Sequence, residues 1–215
     1  MKFAKRPRFS SLGCLPAART LWPVSFRDLP GDLPVPVLIT QHMPPMFTRL
    51  LAERLNTRCP LHVEEAKEGQ KLEPGHVWVA PEDYHLLLRR DALSIRTVLD
   101  QGPKENSCRP SVDPMFKSAV QLCGSHVLGV VLTGMGQDGL RGCEAIKNNN
   151  GQVVVQDETT SVVWGMPGYV AEAGLADRIL PLDWIADEIV RRVRNSRPMP
   201  ATRLATFGQN RNERQ

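Results

Sequence analysis

The sequence lacks any uninterrupted apolar run of about 18 residues, so no segment reads as a membrane-spanning helix. The start, Met1-Lys2-Phe3-Ala4-Lys5-Arg6-Pro7-Arg8, is basic but no apolar core follows it, which excludes the pattern of a secretory signal. There is no Cys-x-x-Cys pair. The five cysteines (Cys14, Cys59, Cys108, Cys123 and Cys143) are odd in number and widely spaced, which argues against a zinc ribbon or a disulfide framework and for reduced thiols in a cytoplasm. Internal repeats and low-complexity stretches are also missing, which leaves no sign of a solenoid. What is present is ordinary globular material. The 215 residues are 41% hydrophobic and 23% charged, enough for one domain that buries its core without staples.

Basic charge is scarce in the body. Residues 1–8 carry four basic groups and no acid, and residues 191–215 carry seven arginines and one glutamate. With the whole chain at +4, residues 9–190 are left at −6. A nucleic-acid binder concentrates cations on a folded face. Here they sit at the ends, so no nucleic-acid partner is expected, and the ends read as solvated segments. The expected organisation is a basic segment at 1–8, a catalytic-type body at 9–194 and a basic tail at 195–215.

Apolar strands alternate with amphipathic helices along the body. Val35–Thr40, Val127–Leu132 and Gln152–Gln156 read as strands, the first two apolar enough to be buried on both faces. Met46–Asn56, Pro114–Cys123, Gly139–Asn148 and Asp183–Arg194 read as helices, with Asp113 as the expected N-cap of the second. Leu61–Glu64 and Arg178–Pro181 read as short strands. Gly75–Ala80, Tyr84–Leu88 and Ser94–Val98 read as a short antiparallel meander or insertion. The expected fold class is α/β, a doubly wound, mostly parallel sheet with helices on both faces.

In such a sheet the site lies beyond the carboxyl ends of the strands. After Thr40 comes Gln41-His42-Met43-Pro44-Pro45; after Leu132 comes Thr133-Gly134-Met135-Gly136-Gln137-Asp138-Gly139. One strand end thus carries an imidazole, suited to proton transfer near neutrality. Another carries a carboxylate in a glycine loop, suited to orienting that imidazole. A third strand end should supply a nucleophile, and before His42 the serines are Ser10, Ser11 and Ser25. Ser10 and Ser11 stand where a first strand would pass into a helix. His76 and His85 read as surface or packing residues, because a zinc site needs more ligands at closer spacing. Cys108 and Cys143 read as ordinary thiols.

Five blocks, in order, resemble the catalytic domain of chemotaxis protein-glutamate methylesterases, the CheB family. They are Gln41–Thr48 with Leu51–Leu55, Pro74–His76 with Val79–Pro81, Arg109–Asp113, Leu132–Gly139, and Gly165–Pro167. The resemblance spans about residues 29–193. It implies hydrolysis of glutamate γ-methyl esters on the cytoplasmic helices of chemoreceptors, deamidation of receptor glutamines in some members, and separate response-regulator proteins as further partners. It also implies a Ser–His–Asp triad of Ser11, His42 and Asp138, with backbone oxyanion donors at Leu12 and Met135. Arg109 and Met166 would line the substrate cleft, and no cofactor or metal is called for. The order Ser, His, Asp and the lack of a Gly-x-Ser-x-Gly elbow disfavour the α/β-hydrolase superfamily.

At the nucleophile the pattern departs from the family's Gly-(Ala or Ser)-Ser-Thr-Gly-Gly. Leu12 stands for threonine and Cys14 for the last glycine, while Ala17, Arg19, Thr20 and Leu21 could continue into a helix. Lys2–Arg8, with four cations and a proline, is unfit for a central strand. The chain is also too short to hold the receiver domain of many relatives, so control through an attached receiver is not expected. Three functions therefore compete: an active receptor methylesterase, a catalytically impaired receptor-binding homologue, and a general small-ester hydrolase.

Overall fold

A computed structural model describes residues 9–14 by their backbone and residues 27–44, 46–92 and 94–195 in full. The segment 1–8, the helix expected through Ala17–Leu21 and the tail from 196 lie outside the described residues.

In chain order the elements are β1 (Phe9–Cys14), β2 (Val37–Gln41), α1 (Phe47–Asn56), β3 (His62–Glu65), β4 (His76–Val79), β5 (His85–Asp91), β6 (Ser94–Asp100), α2 (Val112–Cys123), β7 (Val127–Val131), α3 (Leu140–Asn148), β8 (Gln152–Gln156), α4 (Met166–Glu172), β9 (Arg178–Leu180) and α5 (Leu182–Asn195). Among the described residues, seven strands form one sheet in the order β3-β4-β2-β1-β7-β8-β9, and every neighbouring pair is parallel. The chain winds outward from β1 in both directions, so β1 with its neighbours β2 and β7 marks the topological switch point.

Strand periodicity explains the two cores. Every residue of β2 and β7 is buried, because alternate side chains enter layers on opposite faces. Val37 and Ile39 join Val77, Val79 and Val130 under α1 and α5. Leu38 joins Trp78, Val131 and Val155 under α2, α3 and α4. The amphipathic stripes supply the other half: Leu51 and Leu55 of α1, Ile185 and Ile189 of α5, Met115 and Phe116 of α2. Helices on both faces of a parallel sheet match the expected fold class.

Three local expectations change. Residues 76–79 are not part of an antiparallel meander: β4 lies inside the parallel sheet, where Val77, Trp78 and Val79 are all buried. Among the described strands, only β5 and β6 pair antiparallel, as a separate two-stranded hairpin. Helix α2 begins at Val112 with Ser111 at the N-cap position, so Asp113 sits in the first turn rather than capping it. Helix α4 was not anticipated, since seven residues opening on Met166-Pro167 are too short to show a periodic stripe.

Candidate active site

His42 follows β2, and Asp138 follows β7 in the loop before α3. The two strands flank β1 across the switch point, and their carboxyl ends bring the two side chains together. His42 Nε2 lies 2.7 Å from Asp138 Oδ2, and the carboxylate side chain is 3% exposed. Sequence reasoning placed both residues at one sheet edge, and the structure makes them a hydrogen-bonded dyad.

The glycine loop is held rigidly enough to aim Asp138. Gly134 donates its N–H to the Val163 carbonyl and accepts from the Met166 N–H at 2.7 Å. Thr133 N–H donates to Gln156 Oε1, and its hydroxyl bonds the Val163 backbone. Gly136 and Gly139 adopt φ of 85° and 93°, which an L side chain rarely tolerates, and the second reversal starts α3. A Cβ at Gly165 would meet the Gly134 carbonyl oxygen and lie 3.1 Å from Gly136 N, so glycine is required for the close approach.

Asp138 accepts far more than the imidazole bond. Its Oδ1 accepts from the Ser111 hydroxyl at 2.6 Å, the Asn106 amide at 3.0 Å and the Asp113 N–H at 3.3 Å. Its Oδ2 also accepts the Val112 N–H at 2.8 Å. The carboxylate therefore sits on the first N–H groups of α2, where the helix dipole favours an anion. Burial alone would lift its pKa; His42, Ser111 and Val112 outweigh it and hold the carboxyl below the ordinary aspartate value. Asp113 goes the other way. Burial raises its pKa, against the Gly142 N–H at 2.6 Å and the Asn106 amide at 2.9 Å.

Burial would push the pKa of His42 down. The Asp138 hydrogen bond, hydrogen bonding with the Cys108 side chain and the charges of both groups overcome it, and the imidazolium is held up to about 9. A group raised in the folded state stabilises fully below its unfolded pKa of 6.5 and loses that contribution as pH rises through about 9. The urea midpoint of the chain is therefore expected to fall between pH 6.5 and about 9. In His42→Gln that slope should shrink; an unchanged slope would assign the titration to another group.

Sequence reasoning missed Asn106 and Ser111 as supports of Asp138 and read Cys108 as an ordinary thiol. Nothing in their spacing revealed them, because they reach Asp138 or His42 only through a loop that folds back over the dyad. Arg109, expected in the cleft, pairs its guanidinium with Asp83 at 2.6 Å and donates to the Gln101 and Gly102 carbonyls, which braces this loop. Met166, also expected in the cleft, is fully buried and packs its side chain against Gly134. An open groove of about 420 Å³ runs beside that loop, walled by Met135, Val163, Trp164, Tyr169 and Glu172. Met135 is 72% exposed.

The nucleophile region lies deeper in the sheet than a strand-to-helix handover at Leu12 would place it. Strand β1 continues to Cys14, which stands opposite Gln41, the residue before His42. Ser11 stands opposite Leu38 on one side and Gly129 on the other, and Leu12 opposite Ile39 and Val130. Three residues separate Ser11 from the level of Gln41, about 10 Å along a strand. Leu12, whose amide was the expected oxyanion donor, stands within the ladder between Ile39 and Val130. His85 is buried, with Nε2 3.0 Å from the Pro103 carbonyl, in keeping with a packing role.

Among the described residues, no helix is long and apolar enough to cross a membrane. A model of the CheB methylesterase domain matches residues 10–189. The chain is 54% identical over 164 residues to a protein-glutamate methylesterase/protein-glutamine glutaminase of Trichodesmium erythraeum, covering 76% of this chain and 47% of that protein. A protein of the same name from a Nocardioides species is 53% identical over 175 residues, 80% of this chain and 48% of its own length. The chain thus spans about half the length of these relatives. The crystal structure of the Thermotoga maritima CheB methylesterase catalytic domain superposes with a TM-score of 0.85 at 36% identity, covering 86% of this chain and 98% of that one.

Proposed function

Since the chain belongs to the CheB methylesterase family, we propose that it acts on the methylated cytoplasmic helices of chemoreceptors, hydrolysing glutamate γ-methyl esters with release of methanol. The observation that supports this most directly is the buried His42–Asp138 dyad at the switch point. In this reading a hydroxyl attacks the ester carbonyl while His42 takes its proton. Asp138 orients the ring and stabilises its charged form. His42 then returns the proton to the departing methanol, and a water activated by the same ring releases the glutamate. The Met135 amide, in a loop pinned through Gly134, would face the tetrahedral oxyanion. Side-chain amides of receptor glutamines would follow the same path with ammonia as leaving group. Because His42 is held protonated up to about 9, turnover should rise with pH toward that value. Free response-regulator proteins would be further partners, and the body at 9–194 would be the catalytic unit, in the cytoplasm where the receptor helices lie.

The family resemblance assigns the nucleophile to Ser11. The register of β1 favours a second reading, in which Ser11 stays in the ladder and the chain binds receptor helices with impaired turnover. Methanol release from a methylated receptor signalling domain separates them, comparing the chain with Ser11→Ala and His42→Ala. Activity lost in both variants assigns Ser11. Activity lost in His42→Ala alone moves the nucleophile elsewhere. Receptor binding without methanol release establishes the impaired homologue. Turnover of small esters with intact receptor methyl esters would support a general esterase instead.

A further inference from the structure

A second constellation lies at the other end of the sheet. Strand periodicity puts His62 and Glu64 on one face of β3. Parallel register sets His62 opposite His76, the first residue of β4. One donor atom from each of the three side chains lies within 4.8 Å of the other two. The imidazole rings of His62 and His76 are 4.7 Å apart between centroids, and His62 is exposed while Glu64 and His76 are half-buried. Sequence reasoning dismissed His76 for want of neighbours, because the ligand from β3 becomes one only through cross-strand pairing.

We propose that His62, Glu64 and His76 bind a divalent late transition metal ion, with zinc the physiological class of occupant and water completing the shell. Two imidazoles and a carboxylate are the donor set such ions prefer over magnesium or calcium. A tetrahedral zinc with bonds of about 2.1 Å needs donors about 3.4 Å apart, within reach of small rotations of solvent-facing rings. The site is separate from the hydrolytic one. His76 is level with Pro36 by the β2–β4 register, six residues or about 20 Å along the sheet from His42. Its structural effect is on an edge: β3 is the outermost strand and pairs with β4 alone among the described strands. An ion bridging His62 and His76 would clip that edge to the interior, adding to strand pairing an interaction that only the folded register can make.

The test is titration of the untagged full chain with zinc chloride, by calorimetry and thermal unfolding. One equivalent is expected to bind. At a free zinc concentration about a hundredfold above Kd, Tm should rise by roughly 5–10 °C and return on chelation. His62→Ala and Glu64→Gln, at a surface position and with an isosteric change respectively, should each weaken binding by more than about tenfold. His126→Ala, in the turn between α2 and β7, should leave it intact. Absence of binding by the unaltered chain, or binding that survives both His62→Ala and Glu64→Gln, would overturn the proposal. Because both readouts are independent of ester hydrolysis, they stand whichever nucleophile the chain uses.

Discussion

Asp138→Asn is expected to lower ester hydrolysis by about 10⁴-fold, the scale seen when a triad aspartate is made neutral. The substitution keeps the shape but reverses the chemistry of half the carboxylate. Asp138 is acceptor to five groups: His42 Nε2, the Ser111 hydroxyl, the Asn106 amide and the N–H groups of Val112 and Asp113. An asparagine amide would present two N–H donors to one set of these donors whichever way it is turned. If it faces His42, the ring must flip its protonation state to accept. If it faces the α2 terminus, Ser111 and the first backbone N–H groups lose their acceptor while still buried. His42 also loses the anion that raises its pKa, while the burial that lowers it stays. Its pKa should therefore fall from about 9, although the Cys108 side chain still raises it, and NMR titration of the ring reads the fall without any turnover. Activity within about tenfold of the unaltered chain, or an unmoved ring titration, would remove Asp138 from the role assigned to it.

The largest loss of stability is expected at Phe116→Ala, about 5 kcal/mol, the upper end for a phenylalanine truncation. Phe116 is fully buried on α2, between β7 and α3. Two glycines shape its socket. A Cβ at Gly142 would lie 2.7 Å from the Phe116 Cβ, and one at Gly129 would lie 3.3 Å from its ring. Those walls are backbone, so they have no side chains to swing into the space the ring leaves, and the cavity stays open. The same helix pair frames the dyad: Asp113 of α2 accepts from Gly142 of α3, and both helices begin beside Asp138. Urea unfolding at pH 7 measures the loss, and a shift below about 2 kcal/mol would show that the socket collapses.

How much was legible follows from where each signal resides. His42 and Asp138 were readable because each follows a strongly apolar strand, and the carboxyl edge of a parallel sheet is where such loops converge. Periodicity identified α1 and α5, which lay one apolar stripe on the sheet, to within a residue of their ends. The same signal failed for α4, which is only seven residues, and for β4, whose short run resembled its antiparallel successors. Arg109 and Met166 show the limit on side-chain roles. A cation or a thioether near a site motif has the right chemistry for substrate, and only the fold shows that Asp83 pairs with the guanidinium and that the thioether packs against Gly134.

By itself, then, the amino-acid sequence determined the α/β class, the two loops that carry His42 and Asp138, and the family, since these depend on local periodicity and on ordered motifs. Tertiary structure alone decided the rest. It set Ser11 in mid-strand by the register of β1 between β2 and β7. It gathered Asn106 and Ser111 around Asp138 and brought Cys108 to His42. It also placed His62 against His76. Each of these is a contact between segments distant along the chain or a choice of strand register. Sliding a strand by one residue turns its side chains to the opposite face without changing the sequence, so only the packed sheet determines which chemical groups meet.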